Sequence, residues 1–177
     1  MSVELETSQG VIVLELYADK APVTVANFLR YVDAGHYAGG SFYRTVSYEN
    51  DRGSPKIEVI QGGLSGTAPF DPILHEDTET TALSHLDGTI SMARGDVGTA
   101  DSEFFIVLGD QPALDKGASR NPDKQGFAAF GRVTSGMDVV RMIHRLPSNA
   151  PSDSEYTKGQ IMEEPAKILA ARRIADP

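Results

Sequence analysis

Between residues 41 and 133 the chain repeats one pattern: a short apolar or alternating segment, then a run of glycine and polar residues. The segments are SFYRTV (41–46), IEVIQGG (57–63), GTISMAR (88–94), SEFFIVLG (102–109) and FAAFGRV (127–133), separated by stretches such as SYENDRGSPK and KGASRNPDKQG. Segments of this length, rich in β-branched and aromatic residues and bounded by turn formers, read as β-strands. VELETSQGVIVLELY near the start reads as two alternating strands joined by a Ser-Gln-Gly turn, and KILAARRI as a last strand. Only two stretches carry a helical period. In DKAPVTVANFLRYVDAGHY, Pro22 takes a favoured first helical position, Val25, Phe28, Leu29 and Val32 recur at i, i+3, i+4 and i+7, and Gly35 is a stop. In GMDVVRMIHRL, Val139, Met142, Ile143 and Leu146 form one stripe, with Ser135 as the cap and Pro147 as the end. Many short strands with two helices argue against alternating βαβ units. They favour a mainly β fold, a closed barrel with helices over its ends, although a sandwich would show the same spacing.

Composition narrows the functional classes. A chain of 177 residues, 40% hydrophobic, is ample for one core and short for two, so residues 1–177 read as a single domain. With 25 acidic against 16 basic residues, the formal charge of -9 opposes the backbone of DNA or RNA. No cysteine is present, which removes disulfides, thiol nucleophiles and Cys-based zinc sites. No apolar run approaches the ~18 residues of a membrane span, and MSVELETSQG has neither the basic nor the apolar region of a signal peptide. The expectation is a soluble monomer, cytoplasmic as the sequence stands, with a periplasmic location open if a signal peptide has been removed.

Most familiar catalytic patterns are missing. His36, His75, His85 and His144 form no HExxH or other short ligand spacing, and QGGLSG lacks the Lys-Ser/Thr of a phosphate-binding loop. Gly62 and Gly63 read instead as a turn or as close backbone packing. The serines of TVSYE and GTISMA lack the glycine-flanked elbow of hydrolases. No metal and no cofactor is implied. Phe104 and Phe105 must face opposite sides of a regular strand, so at least one of them is core.

Arg44 is the anomaly. If side chains alternate strictly along GSFYRTV, it shares a face with Phe42 and Val46. A guanidinium is always ionised and offers five donors with no acceptor, so apolar neighbours make it costly unless a carboxylate or a ligand meets it.

The ordered series FYR, IQGG, GTISMAR, SEFFI, ALD and FAAFG, followed by a closing helix, resembles the cyclophilins, the peptidyl-prolyl cis-trans isomerases. The resemblance runs from the first hairpin through ELYADKAPVTVANFLRYVDAGHY nearly to the C-terminus. It implies an eight-stranded antiparallel barrel capped by two helices, with a peptide groove on its outer surface. It implies that Arg44 is the catalytic arginine and Gln61 its neighbouring glutamine. Phe105 and Leu114 would receive the proline ring, Ala93 and Arg94 would hold the extended peptide through their backbone, and Phe42, Val59, Glu103 and Phe127 would complete the groove. The implied partners are proline-containing peptides and unfolded proteins. The implied chemistry is non-covalent rotation about Xaa-Pro bonds. A proline-binding or chaperone-like module of the same fold with weak catalysis is the alternative.

Several positions depart from the family pattern. Ala113 stands where many members carry tryptophan, which implies weak sensitivity to cyclosporin, and Phe127 replaces a common histidine. SYENDRGSPK lengthens the link between FYR and IQGG, bringing Glu58 to a usually apolar groove position that Val59 or Ile57 then has to fill. Arg94 replaces a frequent asparagine and Glu103 a frequent glutamine. The last change predicts that Glu103 pairs with Arg44, fixing it while diluting its field, so that Glu103→Gln raises the rate.

Overall fold

The computed structural model describes residues 1–64 and 66–175. Its strands are β1 (Ser2–Thr7), β2 (Gly10–Leu16), β3 (Ser41–Val46), β4 (Val59–Gly63), β5 (Thr89–Met92), β6 (Phe104–Val107), β7 (Ala128–Ser135) and β8 (Ile161–Ile174). They close in the order β1-β2-β7-β5-β6-β4-β3-β8, every neighbouring pair antiparallel. This is the closed barrel and not the sandwich. Among the described residues no helix is long and apolar enough to cross a membrane.

Alternation fills the barrel with Phe42, Ile60, Ile90, Met92, Phe104, Ile106 and Phe130, all essentially fully buried. Helix α1 (Pro22–Asp33) packs against β7 and β8, driving Phe28 into this interior beside Phe104 and Phe130 at ring distances of 5.5 and 5.3 Å. Its first turn has no cap from Ala21; the Glu76 carboxylate accepts from the amides of Val23 and Thr24 instead. A one-turn helix α2 (Thr78–Thr81) was not evident from periodicity, being too short to show one.

Helix α3 (Met137–His144) packs against β2, β3 and β4 and corrects two expectations. Its cap is Gly136 at φ 91° rather than Ser135, since a Cβ there would lie 2.3 Å from the Val11 carbonyl oxygen. Its buried face is Val139, Val140 and Ile143, while Met142 is exposed. Strand β8 starts at Ile161, six residues before the expected Lys167. Pro165 and two glutamates hide its first half from sequence patterning. The proline is tolerated because β8 slips against β3 there, with Phe42 opposite Ala166 but Arg44 opposite Ile161.

A second apolar cluster lies outside the barrel wall: Val46, Ile57, Val59, Phe105, Val107 and Leu114, with Ala93, Ala113 and Phe127 at its margin. Phe104 is thus core and Phe105 external.

Candidate active site

The outer cluster floors a cavity of about 210 Å³, lined among others by Arg44, Gln61, Ile57, Val59, Ala93, Arg94, Phe105, Leu114 and Phe127. A bulge in β3 brings Arg44 there. On the β4 side Phe42 opposes Gly62 and Arg44 opposes Gln61, so Tyr43 is the extra residue. Strict alternation is broken, and the expectation that Phe42 shares the Arg44 face is overturned. Phe42 points into the barrel against Phe104, fully buried, and touches no part of the cavity. The bulge leaves Tyr43 and Arg44 side by side on the outer surface. Val46 lines the cavity with Arg44, as expected.

Neutral amides hold the Arg44 guanidinium. Nη1 donates to Gln61 Oε1 at 2.9 Å, while Nε and Nη2 donate to Gln160 Oε1 at 2.9 and 2.7 Å. Gln160 is fixed in turn, its Nε2 donating to the Asn50 carbonyl at 2.9 Å. Among the described residues no carboxylate pairs with Arg44. Burial lowers its pKa from the ordinary arginine value, Tyr156, Tyr43 and Asp51 opposing this and Arg120 adding to it. The group remains a cation at neutral pH.

Glu103 does not pair with Arg44, contrary to expectation, and does not line the cavity. Its Oε2 accepts the Tyr43 hydroxyl at 2.5 Å, and the Tyr43 oxygen accepts from Gln61 Nε2 at 2.9 Å. The carboxylate lies over Gly63, where a Cβ would come within 2.1 Å of Oε1. A Cβ on Gly62 would in turn meet the Ser41 carbonyl at 2.6 Å. Close packing rather than a turn therefore explains both glycines.

Phe105 forms the floor, buried to 5% exposure, with Phe127 edge-on at 5.3 Å. Beneath it the His85 ring stacks at 6.0 Å, held by Asp115 Oδ1 at 2.6 Å and Ser91 Oγ at 2.9 Å. This Asp-His-Ser file resembles a hydrolase triad in its partners, but Ser91 and His85 are buried at 0% and 1% exposure. No substrate carbonyl reaches that hydroxyl; the file braces the floor. Arg94 lines the cavity, and its side chain is held by Asp123 at 2.8 Å, the Gly126 carbonyl and the face of Phe127. Ile57 and Val59 both line the groove, and Glu58 faces a different cavity beside Ser47, Tyr48 and His144.

Sequence reasoning missed Tyr43, Gln160, Arg120, Asn121 and Tyr156. The last four lie in polar loops that gave no periodic signal, yet Arg120, Asn121 and Tyr156 line the cavity and Gln160 holds Arg44. Arg120 anchors three loops. It pairs with the buried Asp51 through Nη1 and Nη2 at 2.6 and 2.9 Å, and donates to the Pro55 carbonyl and the Tyr156 hydroxyl. Tyr156 thereby lies against the Arg44 guanidinium, 5.7 Å from its ring centre.

The family model "Cyclophilin type peptidyl-prolyl cis-trans isomerase/CLD" matches residues 2–170. A peptidyl-prolyl cis-trans isomerase of Streptomyces antibioticus is 38% identical over 175 residues, covering 95% of this chain and 98% of its own. One from Schizosaccharomyces pombe is 33% identical over 171 residues, covering 96% and 97%. A cyclophilin type peptidyl-prolyl cis-trans isomerase of Cryptosporidium parvum, crystallised in the presence of the dipeptide Ala-Pro, superposes with a TM-score of 0.74 at 19% identity, covering 99% of this chain and 100% of that one. That likeness concerns the fold, whereas the sequence matches reach further: the chain belongs to the cyclophilin-type peptidyl-prolyl cis-trans isomerases.

Proposed function

We propose that the Arg44 cavity is where this chain rotates Xaa-Pro bonds of peptides and unfolded proteins, without a covalent intermediate. The barrier to amide rotation, ~18–20 kcal/mol, comes from nitrogen lone-pair donation into the carbonyl. As the bond twists, that pair returns to a pyramidal nitrogen. A fixed N–H donor aimed at it is then worth more than in either planar state.

The observation that carries this reading is an ionised guanidinium beside an apolar cavity floor, with donors to spare. Of its five N–H groups, three are engaged by Gln61 and Gln160, so two are left without a partner among the described residues. Those two are oriented before any peptide arrives, and preorganised donors of this kind contribute about 2.7–4 kcal/mol, or 10²–10³ in rate. Phe105, Leu114, Val59 and Phe127 offer an apolar seat for a proline ring. Excluding water there strengthens the Arg44 interaction.

The test is exchange NMR on a short Ala-Pro peptide with the chain and its Arg44→Ala variant. The variant should lose about 10²–10³ in kcat while still binding the peptide and keeping its fold. An unchanged rate would overturn the assignment. Because arginine does not titrate near neutrality, kcat should be flat on the alkaline side of neutral; a bell-shaped profile centred there would point to another group.

A further inference from the structure

We propose that Glu103, acting through Tyr43, is a positioning residue that sets the direction of a hydrogen-bond chain and so decides which end of the Gln61 amide meets Arg44. The inference rests on the role given above to Arg44.

Each link of the chain has a sense. An ionised carboxylate offers only acceptors, so Tyr43 must donate its single proton to Glu103. A phenol that has done so presents only a lone pair to Gln61, which therefore turns its NH2 group toward it. The carbonyl oxygen is the atom left for Arg44 Nη1. Run backwards, the chain would set an NH2 group against a guanidinium, donor facing donor. On the other side of Arg44 the same task is done differently: Gln160 is oriented by the Asn50 backbone carbonyl, which has no second protonation state. One amide is thus locked permanently and the other by a group that can change.

Glu103 is well placed to change. Tyr43 reaches it from β3, and Gly63 from β4 lies beneath it. Tyr37 faces it from the core side and Asp101 from its own loop, and among the described residues no cation pairs with it. Burial pushes its carboxyl above the ordinary glutamate value; the Tyr43 bond opposes this, Asp101 adds to it and Gln61 opposes it. Once protonated, the carboxylic acid is a stronger donor than a phenol and donates a hydrogen bond to the Tyr43 oxygen while keeping its proton. The phenol proton then swings to Gln61 Oε1, and the amide presents its NH2 end to Arg44.

The sign for stability is opposite to that for activity. A carboxyl whose folded pKa is raised favours its neutral form in the native state, so stability declines as pH rises from the unfolded value through the folded one. Ionised Glu103 therefore orients the site at a cost in stability.

The experiment measures kcat and KM by exchange NMR on a blocked Ala-Pro peptide with no titratable group, from acid to neutral pH. Wild type, Glu103→Gln, Tyr43→Phe and Arg44→Ala are compared, with urea unfolding of each. Wild-type kcat should fall about tenfold between its neutral and acid plateaus, the worth of one hydrogen bond of ordinary strength, with KM nearly constant. Glu103→Gln should lose that acid limb, lie between the two plateaus and keep or raise its urea midpoint at neutral pH. Tyr43→Phe should also be pH-independent, with low kcat. An acid limb that survives in Glu103→Gln, or a Glu103→Gln rate above wild type at neutral pH, overturns the positioning role. An unaffected Arg44→Ala overturns the underlying assignment instead, so the two failures are distinct.

Discussion

Two phenylalanines of one barrel wall should answer to different assays. Phe42 is fully buried against Phe104 at a ring distance of 5.6 Å, so Phe42→Ala should cost about 3–5 kcal/mol in urea unfolding and leave KM of the folded fraction unchanged. Phe105 floors the cavity, and Phe105→Ala should raise KM for Ala-Pro peptides several-fold; a swap of these two phenotypes would contradict the sidedness of β3 and β6. Sequence alone puts Phe42 in the groove, because a bulge adds one residue without altering composition or hydrophobic pattern. FYR reads as a plain strand whether or not Tyr43 is the inserted residue. Where no bulge intervenes, as at Phe104 and Phe105, strict alternation correctly places the two side chains on opposite sides of the wall.

At the level of elements, the site is a junction of three irregular segments, residues 47–58, 115–127 and 147–160, around Arg120. The 47–58 segment, visible in the sequence only as an unusually long link, is wrapped about Asp51, whose Oδ atoms accept from the Gly53 and Ile57 amides as well as from Arg120. Gly53 allows this: a Cβ there would lie 2.2 Å from Arg120 Nη1. Burial pushes the Asp51 carboxyl up, but the Arg120, Gly53 and Ile57 bonds outweigh it and hold the group below its usual value. A depressed folded pKa contributes stability that is complete above the unfolded value of ~3.9 and is lost as pH falls through the folded one. Asp51→Ala strands the Arg120 charge in a buried position and should cost about 3–5 kcal/mol, removing the acid-range loss of stability attributable to this group. Calorimetry across that range measures both effects; a variant as stable as wild type would show that the junction carries no weight. These contacts join residues far apart in sequence, and no local pattern encodes them. Helix α1, by contrast, is set by its own periodicity and its proline, and the chain states it openly.

The molecule as a whole owes its closure to β8, which lies between β1 and β3 and joins the two ends of the chain. The alternating segments of the sequence reveal a mainly β fold because each strand must serve an interior and an exterior at once, but closure rests on the family resemblance, since a sandwich shows the same spacing. They do not reveal the length of β8, whose outward side chains include Glu163, Glu164 and Pro165. Ser2 pairs with Ile174 and Thr7 with Ile168, so the start of β1 and the end of β8 lie at the same rim. A load applied through them would therefore peel β1 from β8 rung by rung instead of shearing the ladder at once. In a single-molecule stretching experiment the barrel should yield at low force, starting from the Ser2–Ile174 rung, whereas handles attached at opposite rims should meet far greater resistance.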